Sequence, residues 1–160
     1  MPFDLTLLTG DIATGYYATQ TDVEDLFGRT NVTRWSQLDP MLATVDTPRI
    51  ARALAYADDQ INSEFRGGPY EVPLSCGGSL PTVRYWAAVL AGVWLFTSAD
   101  PLIVTTTTNV AGVVGTVTTA QANKLVSDVQ TDMRLYKAGV RVLDAYRVDT
   151  RAATAPTIVK

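Results

Sequence analysis

The sequence predicts a mainly α-helical protein, a small helical bundle with an inserted β-hairpin. Three stretches, 47–66, 81–98 and 120–137, space their large apolar residues at intervals that fall on one side of a helix. Between the last two, residues 101–123 carry no charged side chain and are rich in Thr and Val around an Asn/Gly centre, the pattern of a hairpin. At 160 residues, with 47% apolar and 18% charged side chains, the chain suits one domain with a real core.

Residues 1–16 mix Leu5, Leu7, Leu8 and Ile12 with Thr, Gly and Asp, show no sustained period, and read as an extended N-terminal arm. Residues 17–146 form the helical domain. Thr21 and Glu24 have capping-box spacing and predict a short helix that buries Val23, Leu26 and Phe27 and stops at Gly28. Residues 31–38 predict a further helical turn with Trp35 and Leu38 inward, closed by Asp39-Pro40. Thr47 as cap and Pro48 at the first helical position open the best-specified helix. Its stripe is Ile50, Leu54, Ile61 and Phe65, its alanines favour helix and close approach, and Gly67-Gly68-Pro69 ends it.

Residues 69–74 read as a proline-stiffened crossing and 75–79 as a loop. From Pro81, Val83, Trp86, Ala87, Leu90, Val93 and Trp94 form a stripe that Tyr85, Val89 and Phe96 widen. A helix this apolar is buried on more than one side, in the core or in a subunit contact. Asp100-Pro101 ends it. Strands near 102–108 and 113–118 make the hairpin, about 102–118. Alone it is marginal in water with uncharged edges, so it is expected to pack on the helices or on another copy. Thr118 or Thr119 caps a helix from Ala120 to about Lys137, with Ala122, Leu125, Val126, Val129, Met133 and Tyr136 on its apolar face and Lys124–Asp128 as an ion pair. Gly139 kinks or ends it, residues 140–146 read as a shorter continuation, and 147–160 as a flexible basic tail.

The net charge of -3 argues against a general nucleic-acid binder. It conceals an asymmetry. Arg134, Lys137, Arg141, Arg147, Arg151 and Lys160 face only Asp144 and Asp149 in the last 27 residues, whereas the preceding 133 carry seven basic and fourteen acidic side chains. A basic tail on an acidic body suits docking on an acidic partner or a neighbouring copy, or simple solvation. One cysteine and no histidine exclude an internal disulfide and a Cys/His zinc site. No signal-peptide pattern and no run near the ~20 apolar residues of a membrane span is present, and the chain is read as intracellular during synthesis.

Asp58 and Asp59 are adjacent on a helix, point about 100° apart, and read as a solvated polar face. Asp128 and Asp132 lack a third acidic neighbour and read as surface charge. Cys76 has no histidine to activate it, and no Gly-Lys-Ser/Thr completes a phosphate loop. No catalytic residue, cofactor or metal is therefore expected. A helix-turn-helix across 21–38, with Arg29 and Arg34 near DNA, would place Trp35 where polar readers belong, so core packing is preferred there.

Tyr17-Ala18-Thr19-Gln20 followed by Asp22, Leu26, Phe27 and Gly28, with Leu38-Asp39 beyond, resembles the N-terminal signature of small phage head–tail joining proteins of the Mu type. Ile50-Ala51-Arg52-Ala53-Leu54 with Ala57, Gln60 and Ile61 is similar to that family's alanine-rich second helix, and Tyr70 with Pro73-Leu74 to its extended crossing. The likeness covers about residues 16–98. It implies a structural virion protein, an adaptor or head-completion subunit that forms a closed heterologous ring of about twelve copies under the portal. That ring would extend the DNA channel, pass DNA without specific binding, and dock the tail or stopper. The longer arm and the 101–118 insertion depart from the pattern.

On this reading the partners are further copies, the portal and a tail or stopper protein, with no membrane, and the location is the virion head–tail interface. The residues expected to meet partners are Ile103, Val104, Val113 and Val114 in the hairpin and Arg141, Arg147 and Arg151 towards the tail. The alternatives are a tail terminator or stopper of the same virion, and a small DNA-binding regulator of a mobile element.

Overall fold

The computed structural model describes residues 16–39, 41, 44–75, 80–99, 117–145 and 147. These form five helices: α1 (Gln20–Phe27), α2 (Arg29–Ser36), α3 (Thr47–Phe65), α4 (Leu80–Ser98) and α5 (Thr119–Lys137). No strand occurs among the described residues; Tyr70 and Arg147 form an isolated antiparallel bridge. The inserted β-hairpin finds no support. It lies outside the described residues except for Val117 and Thr118, and Thr118 is the N-cap of α5. The arm at 1–16 and the tail at 147–160 also lie outside them, apart from Tyr16 and Arg147.

α4 is the axis of the bundle, in contact with each of the other four helices. That position explains its composition, because a helix with neighbours on most sides leaves little surface for water. Val83, Trp86 to Ala91, Val93, Leu95 and Phe96 are all buried. Tyr85 stays on the surface, as part of the widened stripe that the bundle leaves uncovered. α3 runs antiparallel to α4: Arg49 reaches Ser98 at one end, and Phe65 stacks on Trp86 near the other, with ring centroids 5.9 Å apart. α1 runs along α4 in the same direction, from the Asp22–Arg84 ion pair to Phe27 against Gly92.

The helix starts differ from expectation in register. α1 begins at Gln20, with Thr19 as N-cap and Asp22 completing the capping box; Thr19 N–H donates to Asp22 Oδ2 at 2.7 Å. Thr21 lies inside the helix, because Thr-x-x-Asp at 19–22 offers the same chemistry as Thr-x-x-Glu at 21–24 two residues earlier. Only Val23 and Phe27 are buried there; Leu26 is 44% exposed. Gly28, at φ +83°, joins α1 to α2 through a backbone shape that side chains oppose. α2 buries Val32 and Trp35, but Leu38 lies beyond its end and is 68% exposed. Ser36 pins the following connection, donating to Thr33 O and accepting the Asp46 N–H. Asp46, not Thr47, then caps α3, accepting the Arg49 N–H.

The α3 stripe is as expected, with Ala53 and Ala57 buried beside its four large residues. On α5, Ala122, Val129 and Met133 are buried, and Leu125, Val126 and Tyr136 pack against the core from its margin. α5 ends at Lys137, where Gly139 takes φ +77°. Residues 140–145 do not continue the helix; they form an irregular strap that inserts Leu143 into the core. No helix among the described residues is long and apolar enough to cross a membrane.

Candidate partner-docking surfaces

Helical spacing places Asp58 and Asn62 on one flank of the buried α3 stripe, and Arg49 and Tyr56 on the other. Each flank is engaged by residues distant in sequence.

On the first flank, Asp58 accepts the backbone N–H of Tyr17 at both carboxylate oxygens, 3.1 and 3.3 Å away. The Tyr17 hydroxyl donates to Asn62 Oδ1 and accepts the Leu74 N–H at 2.6 Å. One tyrosine thus ties the entry to α1, the middle of α3 and the crossing after α3 into one cluster. Burial pushes the Asp58 carboxyl up to about 7, against the opposing effect of the Tyr17 N–H. Asp58 is therefore not the solvated surface acid that its adjacency to Asp59 suggested; Asp59 itself is exposed.

On the second flank, Arg49 Nη2 donates to Ser98 O and Oγ at 2.5 and 2.9 Å. Its guanidinium carbon lies 5.6 Å from the Trp94 ring centroid, and the Tyr56 ring stands 6.2 Å from that of Trp94. Tyr56 is 42% exposed and Trp94 half-buried. Arg, Trp and Tyr on rigid helices have the composition of an interaction hot spot.

The strap after α5 makes a third assembly. Asp132, read from sequence as plain surface charge, accepts the indole N–H of buried Trp86 at 3.0 Å and an ion pair from Arg141. Arg141 also lies over the Tyr136 ring. The buried Tyr70 hydroxyl accepts the Leu143 N–H at 3.0 Å and Arg147 Nη2 at 3.4 Å, while the Arg147 guanidinium sits 5.2 Å over the Tyr70 ring.

Of the residues expected to meet partners, Arg141 and Arg147 are thus held against the bundle. Ile103, Val104, Val113, Val114 and Arg151 lie outside the described residues. Reading the sequence by period missed the roles of Asp58, Asn62 and Asp132, because their partners come from elsewhere in the chain. Tyr17 and Tyr70, the two hydroxyl hubs, were singled out only through the family likeness. Among the described residues no group of three or more His, Cys, Asp or Glu side chains is placed to hold a metal ion.

The same region of the chain is matched by a known protein family. The model of the family described as Bacteriophage Mu, Gp36 matches residues 17–145, from the Tyr17 hub to the end of the strap. No curated protein and no solved structure matches the chain. A match over well more than half of the sequence makes this chain a member of the bacteriophage Mu Gp36 family.

Proposed function

We propose that this phage protein is a structural head–tail connector subunit, an adaptor or head-completion protein that assembles as a ring under the portal and docks the tail. In this role it has no catalytic residues and no cofactor. Its partners are further copies of itself, the portal, and a tail or stopper protein, and its place is the head–tail interface of the virion.

The observation that carries the reading, beyond family membership, is that the bundle presents a candidate contact surface at each of its two ends. At one, the α3 start and the α4 end gather Arg49, Trp94 and Ser98, and exposed Leu38 and Met41 lie beyond α2, whose Ser36 accepts from the α3 cap residue. At the other, the crossing and the strap gather Arg141 and Arg147 on Tyr136 and Tyr70, with Lys137 against Gly68. A subunit that joins two partners needs a surface for each, and a heterologous ring needs two more on its sides. The negative net charge also suits a channel through which DNA slides, because retention of phosphate depends on Lys and Arg.

The test is an in vitro joining assay. A phage unable to make this protein is expected to yield DNA-filled heads and free tails, and the purified protein is expected to restore plaque-forming particles. Normal tailed particles in its absence would count against the proposal.

A further inference from the structure

The Arg49–Trp94–Tyr56 platform is a surface without a described occupant. Arg52 is exposed one helical turn from both Arg49 and Tyr56 and forms no described ion pair, so the platform is basic as well as aromatic. Asp59, a turn beyond Tyr56, marks its acidic limit. The described hydrogen bonds of the Arg49 guanidinium go to the neutral Ser98 O and Oγ, and it forms no described ion pair, so its charge favours a nearby carboxylate.

A segment of matching chemistry exists in the same chain. Residues 1–15 contain Phe3, Leu5, Leu7, Leu8 and Ile12, two acidic side chains, Asp4 and Asp11, and no Lys or Arg. Tyr17, two residues beyond this segment, is held on the Asp58–Asn62 flank of α3. The platform is on the opposite flank. To reach its own platform the segment would have to cross the polar outer face of α3, where exposed Asp59 repels its acidic side chains and Ser63 offers its apolar ones no partner. Fifteen extended residues span up to ~50 Å, longer than the ~28 Å length of a 19-residue helix, so reach is not limiting.

We propose that residues 1–15 of one copy dock on the Arg49–Trp94–Tyr56 platform of a second copy, apolar side chains against the two rings and Asp4 or Asp11 beside Arg49 and Arg52. The inference rests on the connector reading in that it needs a neighbouring copy. It adds which parts of the two copies meet.

Trp94 supplies the readout. Trp35 and Trp86 are buried, so acrylamide quenching of the full-length chain reports chiefly on Trp94. The experiment measures quenching and sedimentation together across a concentration series. The expected result is that Trp94 becomes several-fold less accessible as copies associate. Leu7→Ser/Leu8→Ser, Asp4→Lys/Asp11→Lys and Tyr56→Ala should each keep it accessible. Arg52→Glu, which places a carboxylate where the arm's acids dock, should partly restore protection to the Asp4→Lys/Asp11→Lys variant. Protection that is independent of concentration would overturn the proposal in favour of the chain's own segment. Association with Trp94 fully accessible would overturn it while leaving the ring intact. Absence of both association and protection would overturn the ring reading as well.

Discussion

The Asp58 carboxylate on α3 receives the backbone N–H of Tyr17, 41 residues earlier, at both of its oxygens. This contact holds the residues just before α1 against the middle of α3. It also leaves a half-buried carboxylate whose only described hydrogen-bond partner is a neutral amide, and that combination sets a distinctive pH response.

The Asp58 carboxyl titrates near 3.8 when unfolded and about 7 in the folded chain. Between those values the folded state holds the additional proton, so this group's contribution to stability falls as pH rises through the window and levels off above it. Asp58→Asn keeps an oxygen acceptor for Tyr17 and carries no charge. Its melting temperature is expected to exceed that of the parent by about 2–4 °C at pH 8 and to show no gain at pH 4, by calorimetry. Parallel pH profiles for the two proteins would refute this account of Asp58.

Gly92 sits in the middle of α4, where alanine would ordinarily favour helix by ~1 kcal/mol. A Cβ there would lie 2.1 Å from Phe27 Cε2 and 2.4 Å from Cδ2, and the Phe27 ring is buried and edge-on to Trp35. Gly92→Ala is therefore expected to destabilise by about 1–3 kcal/mol in urea titration. Phe27→Ala, costing ~3–5 kcal/mol alone, should absorb most of that penalty in the double variant. Additive losses would show that the two residues are not in contact.

Two aspartates on α5 should behave oppositely. Asp132→Ala removes the acceptor of the buried Trp86 N–H and releases Arg141, so a loss of about 1–3 kcal/mol is expected. Asp128→Ala breaks only an exposed pair with Lys124 and should leave the melting temperature unchanged.

Tyr70→Phe keeps the ring and deletes the hydroxyl that receives Leu143 N–H and Arg147. A buried N–H left without a partner costs about 1–3 kcal/mol. Limited trypsin digestion is expected to cut faster after Arg141 and Arg147 in this variant, with the helical circular dichroism preserved. Equal cleavage rates would mean that Tyr70 does not anchor the strap.

Local patterning encodes some of these features and not others. The α3 stripe, the burial of α4 on more than one side and the α5 face were legible, because each follows from helical period within one segment. The Thr21 box was misplaced because Thr19–Asp22 satisfies the same rule two residues earlier. Leu26 and Leu38 were expected inside because hydrophobicity was read without knowing how far the short helices turn. Residues 140–146 looked helical by composition, yet Gly139 at positive φ and the grip of Tyr70 on Leu143 hold 140–145 irregular. Asp58 and Asp132 were read as solvated because their partners, Tyr17 and Trp86, lie more than 40 residues away, beyond any periodic signal. The candidate docking surfaces depend on such distant pairings and so were the least legible part.

The central claim, a connector ring under the portal, is tested most directly by electron microscopy of the purified protein mixed with purified portal of the same phage. The account predicts added density as a closed ring coaxial with the portal channel. Portal particles without added density, with this protein remaining monomeric by sedimentation, would contradict it.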